Sequence, residues 1–504
     1  MRQFEQRAIL SRNTSQLQLL VRKRMCEQLN VFERLLSQLS RLAARRRLFG
    51  DEPYQAVLLL GELTMHVYEE SADEDEDKDE KRSALSRGSA QRSALNTDDA
   101  QGGYLLLIGK GMLTVGSNRV AITKLEDETP HIKHGDKLQL LGRMYTVEEL
   151  EGPLMARTAV VFSEPLVLAD GFVTTDEIQR TGAGETWLFL QQRVADGGAD
   201  PDMQLLLFNM KAHEIAVQLL GLPVGKRPAS SELDVREVII GAYRLIKALS
   251  SGFKLMQMAM LPFQDKMIEQ VQYNLTSADI TPTGCLISIM KDNPTAALQV
   301  REDVLRKFVR MASENRAPRF LRFLFNVTGP AGQPVLRAQA LVIQLVRENA
   351  AACVLFNDAE GRKQRQELVQ ASDHVKNPRG LLAYHIELIR LIGRCAEGIA
   401  PGPEALARQM VPLESLLSHL TEEGLPIILK AQYLQVLDEA YFYAKLPRGV
   451  DIGKSPEMVR FFEMFAALVN ELASDIIPSL DADFAEVSTD RANDLHATVE
   501  FVMV

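Results

Sequence analysis

The chain has 504 residues and 46% hydrophobic content, room for about two to four domains with real cores. Its net charge is −10, and much of that excess sits in one run, "EESADEDEDKDE" (69–80), so no basic domain or face offers itself to nucleic acid. The four cysteines (Cys26, Cys285, Cys353, Cys395) form no CxxC, which leaves neither a disulfide framework nor a cysteine zinc site and points to reduced thiols.

The N-terminus, "MRQFEQRAILSRN", lacks the apolar core of a signal peptide and enters helix-like sequence at once, as if something upstream had been cut away. No glycosylation is expected at the Asn-x-Ser/Thr triplets of Asn13, Asn274 and Asn326. Residues 15–48 read as helix, with Phe32, Leu35, Leu36, Leu39 and Leu42 forming an apolar stripe at three- and four-residue spacing. Gly50, Glu52 and Pro53 break it, and "YQAVLLLGELTMHVY" (54–68) makes a second helix. Arg45, Arg46 and Arg47 read first as a solvated basic helix end and second as an anion site.

Residues 69–102 are acidic, then rich in Ser, Arg and Asn, and carry too little apolar surface to offset the entropy of ordering. Asp73, Asp75 and Asp77 mimic a calcium loop. That pattern fails at Lys78, where Gly is needed, and at Ala84, where the closing Glu belongs.

The period then changes. "GYLLLIGKGMLTVGSNRVAITKL" (103–125), "HGDKLQLLGRMYTVEEL" (134–150) and "TAVVFSEPLVLADGFV" (158–173) give short apolar runs punctuated by Gly and Asn. They predict a small β-barrel-like module over 103–192, with two strands in the third run and a glycine-containing hairpin turn at "LIGKGM" (107–112). From 193 to 478 helical segments recur between prolines, from Pro223 to Pro456. Pairs of short helices that cannot cover their own apolar faces predict an irregular, armadillo-like α-solenoid. The tail, 479–504, has less pattern. The expected fold is mainly α, an armadillo-like α-solenoid with a small all-β insertion.

"LLAYHIELIRLIGRCAEG" (381–398) gathers Tyr, His, Glu and Cys and raises the question of a reactive site. As a helix it puts Glu387, Arg390 and Arg394 on one narrow face and His385, Ile389, Ile392 and Ala396 opposite. His385 is therefore assigned to the core as a neutral, hydrogen-bonded ring, and Cys395 joins it there because no base neighbours it in sequence. Glu387 and Arg390 read as a surface pair, and Gly398 as the helix cap. "GLPVGKRPAS" (221–230) has three residues between its glycines, Arg227 in place of the magnesium-holding Ser or Thr, and a helix before it, so it is a helix-to-helix turn and not a phosphate loop. Arg319 and Arg322 read as the polar side of a helix whose other side holds Phe320, Leu321, Leu324 and Phe325; with Arg316 they are the alternative anion site.

"LFNMKAHEIAVQLLGLPVGK" (207–226) resembles the opening of the homology domain shared by inositol trisphosphate receptors and ryanodine receptors, which runs Arg-Asn-Met-Gly-Ala-His. Asn209, Met210, Ala212 and His213 match; Phe208 and Lys211 depart. "RAPRFLRFLFNVTGPAGQPV" (316–335), "VRENAAACVLFNDAEGR" (346–362) and the segments at 411–444 and 455–473 continue the likeness, and "FEQRAILSRNTSQLQLLV" (4–21) resembles the segment shortly before that domain. In 381–398, Tyr384, His385, Leu388, Cys395, Glu397 and Gly398 match while Arg390 and Ala396 depart. The likeness is to the central, second copy of the domain and covers most of the chain outside 69–200.

The resemblance implies a cytosolic helical arm of a tetrameric calcium-release channel of the endoplasmic reticulum, with other channel domains or subunits as partners. It carries over no catalytic, cofactor-binding, metal or ligand-binding residue, since neither the ligand-binding trefoil nor the pore is evident. No enzyme activity, cofactor, nucleic acid or membrane span is expected of this chain. Two other readings stay open: a free-standing solenoid adaptor for a protein or peptide, and a soluble inositol-phosphate sensor using Arg45 to Arg47 or Arg316 and Arg319.

Overall fold

The computed structural model describes residues 29–45, 47–68, 103–125, 132–140, 143–151, 158–167, 176–193, 198–224, 235–271, 280–349, 353–356, 359–371, 377, 379–398, 400–422, 424–442 and 456–471. The expected linker at 69–102, the tail at 479–504 and the family-like stretch at 4–21 lie outside them. The architecture is mainly α with one closed β-barrel, in two compact units, Met1–Ile289 and Met290–Val504.

In the first unit, α1 (29–43) buries the stripe of Phe32, Leu35, Leu36, Leu39 and Leu42 read from the sequence. Helix α2 (Glu52–Tyr68) starts with Pro53 in its first turn, where a missing N–H costs nothing. The barrel is built of β1 (Gly103–Thr114), β2 (Arg119–Leu125), β3 (Lys137–Leu140), β4 (Arg143–Glu151), β5 (Ala159–Phe162) and, after the short helix α3 (Asp176–Thr181), β6 (Ala183–Arg193). Its closed order is β1-β2-β5-β4-β3-β6, antiparallel throughout. Closure leaves no unpaired edge. Alternation along β3 and β4 sends Leu138, Leu140, Tyr145 and Val147 inward. The Tyr145 hydroxyl donates to Val167 O at 2.9 Å and accepts from Val167 N at 2.8 Å, tying the chain after β5 to the barrel.

Two expectations for this module change. "LIGKGM" lies inside β1 and is not a turn; the turn follows at 115–118. Its glycines mark irregularities in register, at Leu107/Gly109 toward β6 and Lys110/Gly111 toward β2. A Cβ on Gly109 would sit 2.1 Å from Lys124 O, so the neighbouring backbone passes where a side chain would be. The run 158–173 supplies one strand among the described residues, and the sixth strand is the later "AGETWLFLQQR".

Helix α2 touches both the barrel and the helices that follow. Gly61 faces Leu106 of β1, and Leu60 packs on Gly241 of α6. The Tyr54 ring stacks on Trp187 of β6 at 5.0 Å, with the Lys110 ammonium 4.1 Å from the Trp187 ring and that of Lys124 5.2 Å from Tyr54. The helices that follow in this unit are α4 (Pro201–Asn209), α5 (Ala212–Leu219), α6 (Val235–Ser250), α7 (Lys254–Met260), α8 (Gln264–Gln270) and α9 (Pro282–Met290), whose last residue opens the second unit. Asp200 caps α4, its carboxylate accepting from Asp202 N and Met203 N. Between α4 and α5 the chain bends at Lys211, in the left-handed region at φ 62°.

The second unit continues with α10 (Pro294–Leu298), α11 (Glu302–Asn315), α12 (Pro318–Thr328), α13 (Leu336–Glu348), α14 (Ala359–Gln370), α15 (Leu381–Ala396), α16 (Pro401–Met410), α17 (Leu413–Leu420) and α18 (Ile427–Leu437), which runs into a π-helical turn, Asp438–Phe442, before α19 (Pro456–Glu471). Six of these helices open on Pro within the first turn or directly after it as a cap, so the prolines space the helices as the sequence suggests. Helix α15 is the centre of this unit. It packs between α12 and α18, and thirteen of its sixteen residues are buried, so it has no solvent face of helical width.

Candidate functional site: a buried polar spine

The stretch 381–398 is a helix, and its polar residues are held in two buried networks, one on each side of α15. On the α18 side, His385 is fully buried. Its Nδ1 lies 2.9 Å from Val354 O and its Nε2 2.9 Å from the Tyr433 hydroxyl. A carbonyl only accepts, so Nδ1 carries the proton and Nε2 accepts from Tyr433. Burial depresses the ring's pKa to about 3, against which the Val354 hydrogen bond works only in part. Tyr433 in turn accepts from Arg365 Nη1 at 3.4 Å, and Arg365 Nη1 also donates to His419 Nδ1 at 3.1 Å. Arg365, fully buried, pairs with Glu422 through its other nitrogen. Burial lowers the pKa of His419 as well, so the Arg365 guanidinium is held by His419, the Tyr433 hydroxyl and the Glu422 carboxylate. His385 thus has both ring nitrogens occupied and no face toward solvent.

On the α12 side, Arg322 Nε donates to Glu387 Oε1 at 2.8 Å, with both side chains buried. Arg390 Nη1 stands 3.6 Å from Glu387 Oε2, and the guanidiniums of Arg390 and Arg394 lie 4.0 and 4.4 Å from the Phe325 ring. This corrects the sequence reading of Glu387 as a surface residue and of Arg322 as a solvated one. The narrow polar face of α15 meets α12, where Arg322 pairs with Glu387 and the Phe325 ring takes the Arg390 and Arg394 guanidiniums inside the unit. Gln339 of α13 adds a 2.8 Å bond to Arg394 O.

The remaining candidates are not gathered into a site. Cys395 is fully buried, and burial pushes its thiol pKa up, away from nucleophilic range. Cys285 is also buried, its pKa pushed up to about 12. Arg45 pairs with Glu52, Arg47 is exposed, and Arg46 lies outside the described residues. Arg316 is exposed at the left-handed end of α11, and the Arg319 guanidinium rests 4.9 Å from the Phe320 ring. Among the described residues, no group of three or more His, Cys, Asp or Glu side chains could hold a metal ion. No described helix is long and apolar enough to cross a membrane. Sequence reasoning missed Arg365, His419, Glu422 and Tyr433. Arg365 lies on the polar helix "AEGRKQRQELVQ", where nothing distinguishes it from exposed neighbours.

Residues 205–356, from within α4 to just beyond α13, match the family model described as the RIH domain. The helical region carries an RIH domain. It is of the type found in inositol trisphosphate and ryanodine receptors, as the residues of 207–226 and 316–362 suggest. The chain is also 23% identical, over 329 residues, to the inositol 1,4,5-trisphosphate receptor itr-1 of Caenorhabditis elegans. That alignment covers 63% of this chain and 11% of the receptor, so the chain corresponds to about a tenth of its relative's length. Gly398, matched in the family-like segment, sits at φ +95° just past α15, and a Cβ there would meet Pro334 at 2.8 Å, which gives that match a steric reason.

Proposed function

We propose that this chain is a cytosolic regulatory and coupling segment of an inositol trisphosphate receptor-like calcium-release channel, lying on the cytosolic face of the endoplasmic reticulum. The observation that carries this reading is the receptor-like sequence that runs through most of the helical region. The segment corresponds to the central copy of the RIH domain. Its helices stack as an armadillo-like solenoid over 193–478, and the β-barrel of 103–192 is an insertion seated on α2. Its partners are other domains or subunits of the channel. It performs no catalysis and needs no cofactor. The two polar networks around α15 support a mechanical role. Charges buried in pairs resist sliding of one helix past another, so α12, α15 and α18 move as one body. A displacement at one end of such a stack reaches the other, and a coupling free energy of about 1–3 kcal/mol suffices to bias a distant equilibrium.

The size and location of the native protein test this. An antibody raised to residues 201–478 should detect, in internal membranes of the source cells, a band far larger than 56.2 kDa. A single soluble band near 56.2 kDa would end the channel reading and leave the adaptor.

A further inference from the structure

Helix α19 carries a wider apolar face than one neighbour covers. It packs against α17 and buries Met458 and Phe461. At about 100° per residue these two and the half-buried Phe465 lie within roughly 60° of one another. Beside that arc, again within roughly 60°, come Val459, Phe462 and Ala466. These three are exposed: Val459 is 52% accessible and Phe462 54%, although the Phe462 ring lies 5.4 Å from that of Phe461. The whole apolar arc spans about 160°, more than the roughly 100° that suits a helix with one packed side. The chain itself carries a matching stripe, outside the described residues. After a connection of six residues, 472–477, comes "PSLDADFAEV" (478–487). It opens on Pro, as α10, α12, α16 and α19 do. Leu480, Phe484 and Val487 recur at spacings of four and three, the mark of one helix face. Connections of about 2–8 residues join helices that lie side by side. Run antiparallel, the two stripes agree in register: Ala466 falls opposite Leu480, Phe462 opposite Phe484 and Val459 opposite Val487. Each stripe covers about 10.5 Å of helix.

We infer that the exposed face of α19 is a docking surface for residues 478–487 of the same chain, which lie on it as an antiparallel helix over Val459, Phe462 and Ala466. The inference stands on the two stripes and their register and does not depend on the channel assignment. The short connection favours this occupant over any other. A segment tethered by six residues meets the face at a high effective concentration, which a second copy of the chain or a separate partner has to match by affinity alone.

The test is disulfide formation in the full chain, in a C26S background whose remaining native thiols, Cys285, Cys353 and Cys395, are buried. V459C/V487C sets two thiols face to face. V459C/A485C is the control, since Ala485 stands about 140° around the helix from Leu480. Under mild oxidant the first pair should close within one molecule about tenfold faster than the second, because a disulfide needs its two Cα atoms within roughly 7 Å. Trypsin cuts after Arg460, so the link joins peptide 455–460 to peptide 461–491 and is read by mass. Equal rates for the two pairs would overturn the inference. So would a link found only between two molecules, which gives the face to a second copy. Amide exchange supplies an independent reading. F484D puts a carboxylate into the contact and should raise exchange across Pro456–Glu471 about tenfold. Exchange there that stays at the wild-type level would overturn the docking.

Discussion

Replacing Arg322 by Met strands a charge inside the second unit. In the wild type, Arg322 Nε and Glu387 Oε1 are 2.8 Å apart with both side chains buried. At an effective dielectric constant of about 20 their attraction is roughly 6 kcal/mol, against a desolvation cost of several kcal/mol per ion. The net value of the pair is therefore small, while removal of one partner is costly. Arg390 remains, but 3.6 Å from Oε2, too long for a good hydrogen bond, and its guanidinium is committed to the Phe325 face. R322M should cost about 3–5 kcal/mol, whereas the double variant R322M/E387L should recover most of that loss. Urea titration followed by far-UV ellipticity, with amide exchange across Leu381–Ala396, gives both numbers. Trp187, the only tryptophan, belongs to the first unit and is not the probe. A surface pair would be worth about 0–1 kcal/mol. A cost below about 1 kcal/mol for R322M, or a double variant as weak as the sum of the singles, would refute the buried-pair argument.

Lys211 holds φ 62°, a conformation that glycine adopts without the Cβ penalty, so K211G should stabilise the α4–α5 joint by about 1 kcal/mol, seen as a higher urea midpoint. G109A should cost more than about 2 kcal/mol and be read as loss of Trp187 fluorescence order, because its Cβ meets the Lys124 backbone at 2.1 Å. G116A, in the open turn at φ +88°, should cost only about 1 kcal/mol. His385 has a folded pKa of about 3, below its ordinary value, so the unfolded chain binds the extra proton. Stability should fall as pH drops from about 6.5 toward 3, by a few kcal/mol at most, and this slope in the urea midpoint should shrink in H385Q.

The parts of the fold written in local periodicity were legible in the sequence. The stripe from Phe32 to Leu42 is buried, and "HGDKLQLLGRMYTV" pairs as a β3–β4 hairpin, since period and turn chemistry act over a few residues. "LIGKGM" was misread because glycine marks both turns and places where another backbone comes close. Only the pairing of β1 with β2 distinguishes the two. The helical wheel placed His385 and Cys395 in the core, and both are there. The same wheel placed Glu387 outside, because periodicity separates polar from apolar but does not say that a polar face meets water. Here it meets Arg322, 65 residues away in sequence. The Arg365 hub was invisible for the same reason, since its partners His419 and Tyr433 lie 54 and 68 residues on.

The two networks differ in what they resist. The Arg322–Glu387 side fixes α15 against α12 through one charge pair, and a shift of one residue along the helix, about 1.5 Å, would break its 2.8 Å bond. The α18 side is a chain, Val354 to His385 to Tyr433 to Arg365 to His419, in which each hydroxyl, ring and guanidinium depends on the next for its proton order. Moving α18 alone would take the Tyr433 hydroxyl away and leave the His385 Nε2 unpaired in a dry interior, while Arg365 keeps Glu422 and His419, and this costs more than sliding an apolar interface of the same area. Helices joined in this way are poor at gradual adjustment and good at moving together.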